Sequence, residues 1–136
     1  MFQNESNMSD ADRLEGVVNY ARSVFLNLGE ELRDETRKAI PWSAVRRVAS
    51  ATKWIEGRLA VTPSHQGPFR KGRGSVQEFD ALARRALGTL RRIGRALERE
   101  KKGRAWQIAV TAEAMLEDRL HEIDQYVRCR SWGLAA

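Results

Sequence analysis

Five arginines stand in ALARRALGTLRRIGRAL, residues 81–97, and no acid stands among them. A solvated helix ordinarily mixes both signs, because opposite charges three or four residues apart support it. A guanidinium presents a rigid fork of donors that matches phosphate or carboxylate. The chemistry this stretch offers is therefore the holding of an anion. With Arg99 added, Arg84, Arg85, Arg91, Arg92, Arg95 and Arg99 lie across a helical wheel from the apolar stripe that runs from Phe79 to Leu97. Two uses fit them. They could track the phosphates of a nucleic acid, or they could pair internally with Glu113, Glu117 and Asp124, which flank the apolar stripe of a later helix.

Two smaller sets join the strip. GPFRKGRG, residues 67–74, places Arg70, Lys71 and Arg73 beside Phe69. A basic segment with one aromatic can wrap a nucleic-acid backbone and stack a base. Its glycines echo a phosphate-binding P-loop, but the Lys-then-Ser/Thr positions hold Arg73 and Gly74, and no strand precedes them. Trp54 sits off the inner stripe of its helix, on the side of Arg47 and Arg58. It could stack a base, anchor a protein partner, or pack under a neighbouring helix. Trp42, Trp106 and Trp132 lie near helix ends and read as packing residues that close the fold.

Catalytic sets are poor. The two histidines are His65 and His121, and the one cysteine is Cys129. Asp118 and His121 have a spacing used in di-metal bundles, but such sites need a second pair and further carboxylates, all facing inward. His121 points outward by periodicity, and Cys129 lies about two turns from it, too far for a nucleophile–base pair. No serine or threonine has an accompanying base. The expectation is a chain that is not an enzyme and carries no metal or cofactor.

Charge is segregated along the chain. Residues 1–35 hold three Arg against eight acids, residues 36–104 hold 18 Lys and Arg against five acids, and residues 105–136 hold three Arg against five acids. The net charge of +6 thus hides a strongly basic middle between two acidic arms, which points to a polyanionic partner. A GC-rich genome would explain arginine over lysine but not the clustering. One cysteine excludes an intrachain disulfide, so a reducing cytoplasm is the expected location. The polar, acidic start MFQNESNMSDADR lacks the charged opening and apolar run of a signal peptide, and no membrane span is expected.

These residues must be positioned by helices, because every long segment carries helical periodicity. A first helix, about 10–38, rests on Leu14, Val18, Ala21, Phe25, Leu28 and Leu32, capped by Ser9 or Asp10 and stopped by Pro41. A second, about 41–61, opens on Pro41 and rests on Val45, Val48, Thr52, Ile55 and Leu59. Residues 62–75 have no periodicity and read as a basic loop. A third helix, about 75–102, opens with Ser75 and Glu78 as a capping box and rests on Phe79, Ala83, Ala86, Leu90, Ile93 and Leu97. The fourth, about 105–130, rests on Ala109, Ala112, Leu116, Leu120, Ile123 and Val127. No strand alternation and no repeat appear. The expectation is an all-α bundle of four principal amphipathic helices, residues 10–136, behind a flexible tail at 1–9.

EELRDETRKAIPW, residues 30–42, resembles a helix-to-helix junction in the HEPN family of helical-bundle ribonuclease toxins. That family carries an Arg and a downstream His on the helix after the junction. Here the segment from Val45 to Val61 has arginines and no histidine, so the resemblance implies bundle architecture and not ribonuclease activity. The function expected is a non-catalytic basic regulator that binds nucleic acid or a nucleoprotein complex, mostly through phosphates. An alternative is a protein-directed inhibitor or adaptor docking an acidic protein surface, such as a phage- or plasmid-encoded blocker of a host defence complex. A third is a self-assembling homo-oligomer, acidic arms of one copy meeting the basic middle of the next.

Overall fold

A computed structural model describes residues 10–34, 42–61, 73–99 and 103–131, all of them helical. The four apolar stripes become four helices: α1 (Asp10–Asp34), α2 (Trp42–Val61), α3 (Arg73–Arg99) and α4 (Gly103–Ser131). Each is amphipathic and must bury one stripe, and packing the four together satisfies all of them. Asp10 and Asp12 stand in the first turn of α1, where negative charge complements the helix dipole. Residues 35–41, 62–72 and 100–102 lie between the described helices. Pro41 and most of the expected 62–75 loop therefore lie outside the described residues.

Successive helices run antiparallel, as their cross-helix partners show. Arg22 of α1 meets Glu56 of α2 while Gly29 lies beside Val48. Trp54 of α2 meets Arg85 of α3 while Arg58 borders a cavity with Glu78. Arg84 of α3 meets Asp124 of α4 while Arg91 meets Glu117 and Glu113. Arg104, at the start of α4, meets Glu31 near the end of α1. Helices α1 and α3 touch each other and both remaining helices, whereas α2 and α4 do not meet among the described residues. The bundle is thus a central α1–α3 pair with α2 on one flank and α4 on the other. This divides its surface into four seams: α1–α2, α2–α3, α3–α4 and α4–α1.

The stripes of α1 and α3 are buried as their periodicity predicts, with Phe25, Leu28, Phe79, Leu90, Ile93 and Leu97 all withdrawn from solvent. On α4 the stripe is buried from Ala109 to Ile123, and the side chain of Val127 lies outside the description. The stripe of α2 differs from expectation. Its fully buried residues are Ala44, Val48, Ala51 and Ile55, while Val45, Thr52 and Leu59 are only half-buried. The cause is that α2 packs on α1 and α3 at once. Its buried arc centres on small alanines that let it approach both, and Trp54 is drawn toward the core on the α3 side.

Three further boundaries and packings differ. Helix α3 begins at Arg73, not Ser75, so Arg73 is helical and Ser75 is not its cap; Gly74 is tolerated in the first turn, where few hydrogen bonds depend on it. Helix α4 begins at Gly103, two residues before Ala105. Trp42 does not close the bundle: it opens α2 with more than half its surface exposed, on the rim of an α1–α2 groove with Leu26 and Val45. Trp106 is half-buried against the core, and Trp132 lies outside the described residues.

Candidate nucleic-acid interface

The six arginines of α3 share one helix but not one environment. Facing arcs of α3 meet α4 on one side and α2 on the other, and this sorts the guanidinium groups into three sets.

Arg84 and Arg91, seven residues apart, stand on the α4 side. Arg84 Nε donates to both carboxylate oxygens of Asp80, at 3.1 Å each, and its Nη2 donates to Asp124 at 2.9 and 3.1 Å. Arg91 Nε donates to Glu113 at 3.2 Å, and its Nη2 donates to Glu117. The hydrogen bonds that Arg84 donates to Asp80, and after them those to Asp124, hold its pKa above the ordinary arginine value; bonds donated to Glu113 and then Glu117 do the same for Arg91. Both guanidinium groups are cationic at any physiological pH in either case. The meaning is geometric: these two cations already hold carboxylates and fasten α3 to α4. Asp80 was not flagged as a partner from the sequence, although its i,i+4 spacing to Arg84 is the signal that finds it.

Arg85 stands on the α2 side. Its guanidinium carbon lies 4.1 Å from the centroid of the Trp54 ring, a cation–π contact. Trp54 in turn sets its ring edge-on to Phe25, with centroids 6.2 Å apart and planes at 68°. Trp54 thus joins the core to the surface arginine above it. Beside this stack a small cavity is bordered by Arg58, Glu78, Ala81, Leu82 and Arg85.

Arg92, Arg95 and Arg99 complete the strip. All three are exposed, and among the described residues no carboxylate lies within ion-pair distance of them. The same holds for Arg47 and Arg58 of α2, which flank Trp54 seven residues before it and four after. On the helical wheel Arg47, Trp54 and Arg58 share the side that meets α3, while Arg85, Arg92 and Arg99 repeat every seven residues along the side that meets α2. Wheel positions and the Trp54–Arg85 register place Arg47, Arg58, Arg85 and Arg92 along the α2–α3 seam; Arg99 continues the α3 row past the start of α2, and Arg95 lies on the outward face beside it. Arg84 and Arg91 do not lie there. Arg46 and Lys53, exposed on the outer face of α2, add positive charge that sequence reasoning did not single out.

Phe69, Arg70 and Lys71 lie outside the described residues, and of Arg73 only its place at the start of α3 is described. His121 is exposed on α4, its Nε2 3.2 Å from the Gln125 amide, with Asp118 exposed beside it. Among the described residues no three metal-ligating side chains gather. No described helix is long and apolar enough to cross a membrane. The chain matches no protein family, no curated protein and no solved structure.

Proposed function

We propose that the α2–α3 seam binds nucleic acid by its phosphates, and that the chain acts as a non-catalytic binding protein. One observation carries the reading. Where α3 faces α4, Arg84 and Arg91 each hold two carboxylates; where α3 faces α2, no arginine is ion-paired among the described residues, and the one acid bordering the cavity there, Glu78, makes no salt bridge to Arg58 or Arg85. Four exposed arginines along the seam, with Arg99 continuing the row and none of the five ion-paired to a carboxylate among the described residues, repel one another and invite a polyanion. Contacts of this kind fix orientation on a backbone and carry little sequence information, so binding is expected to be weakly sequence-specific.

The test is fluorescence anisotropy of a labelled nucleic acid of arbitrary sequence, titrated with the full chain at several salt concentrations. Log affinity should fall linearly with log salt, since each neutralised phosphate releases counterions. An acidic polypeptide is titrated in parallel. Absence of nucleic-acid binding at low salt, or tighter binding to the polypeptide, would transfer the seam to a protein partner and overturn the proposal.

A further inference from the structure

We infer that the ligand of the α2–α3 seam is duplex rather than single-stranded nucleic acid, held by two arginine rows that follow its two backbones. The inference rests on the proposed function and narrows it. The first support is the arrangement of charge. Arg85, Arg92 and Arg99 form a row on α3 with steps of about 10 Å, since seven residues rise about 10.5 Å. Arg47 and Arg58 form a second row on α2, about 16 Å end to end. The helices are antiparallel neighbours, joined by the Arg85–Trp54 stack, and packed helix axes lie about 8–10 Å apart. Two parallel cationic rows at that separation, their long side chains splaying outward, match two phosphate strands bordering a groove about 12 Å wide. A single strand has one backbone and would engage one row.

The second support is what the seam lacks. Sequence-tolerant binding of single strands relies on aromatic platforms on which successive bases stack. Among the described residues the aromatic of this seam is Trp54, and it is occupied: one ring face is covered by the Arg85 guanidinium, and the ring packs against the core and edge-on to Phe25. The exposed aromatics among the described residues lie elsewhere. Tyr20 borders the α1–α4 groove and Trp42 the α1–α2 groove. Trp54 is therefore a positioning residue that holds Arg85 upright on the α3 row.

The experiment compares a short DNA duplex with each of its component strands at one salt concentration, using the full chain, then repeats the titration with Arg47→Ala/Arg58→Ala and with Arg92→Ala/Arg99→Ala. The duplex is expected to bind about tenfold or more tighter than either strand, as two rows engage instead of one. Each double variant should lower the salt slope for the duplex by about 1.8, two contacts at about 0.9 each, the first emptying the α2 row and the second leaving Arg85 alone on the α3 row. Circular dichroism melts matching the parent show that the losses are not unfolding, as expected for exposed side chains. Single strands binding as tightly as the duplex, or all of the loss falling on one row, would overturn the duplex inference while leaving nucleic-acid binding intact. Failure of duplex and strands alike would overturn both.

Discussion

Arg84 and Arg92 stand two turns apart on the same helix, yet one holds two carboxylates and the other none among the described residues. Their roles should separate by measurement. Arg84→Ala/Arg91→Ala removes the ties between α3 and α4 and leaves Glu113, Glu117 and Asp124 unopposed; it should lower the melting temperature and leave the salt slope of nucleic-acid binding unchanged. A lowered slope with an unchanged melt would show that these arginines leave their acids for phosphate. Trp54→Ala should act chiefly on stability. Losing a half-buried indole is expected to cost about 1–3 kcal/mol, below the 3–5 typical of a fully buried aromatic, and urea denaturation reads it. If instead affinity falls by about 1–3 kcal/mol with the salt slope unchanged, Trp54 stacks a base.

At the scale of the elements, α3 carries both the core and the strip, so its two faces should respond oppositely. Leu90→Asp places a carboxylate where no solvent reaches and should unfold or aggregate the chain, whereas Arg92→Ala should change stability by no more than about half a kcal/mol. Thermal melts in the reverse order would invert the assignment of faces. Gly88 lies between Arg84 and Arg92 in mid-helix, and a Cβ there would meet nothing within 4 Å. Gly88→Ala should therefore stabilise by roughly 0.4–1 kcal/mol, through the lower entropy of the unfolded chain; a loss of stability would mean that the space is needed. The helices themselves were legible from periodicity, because on α1, α3 and α4 the large apolar side chains and the buried alanines fall on the same arc, whereas on α2 Val45, Thr52 and Leu59 stand on one shoulder of it. The true buried face of α2 was not, since alanines such as Ala44 and Ala51 weigh little in a hydrophobic pattern yet decide how closely a helix packs.

Across the whole molecule, the sequence shows one basic block between acidic arms, and the fold divides that block. The acids of α4 reach the α3–α4 seam and quench its arginines, and Glu31 of α1 is engaged with Arg104 of α4. Residue type and spacing made the strip of six arginines legible, but not its division. Which arginines meet acids depends on which helix flanks each side of α3, and that is a property of the packing order. The +6 net charge is accordingly less informative than its placement. The most direct test of this placement is the salt dependence of nucleic-acid affinity for Arg92→Ala/Arg99→Ala against the parent chain. The account predicts a slope reduced by about 1.8 for a duplex, with the melting temperature unchanged. An unchanged slope together with a lower melting temperature would contradict it and make the α2–α3 arginines structural.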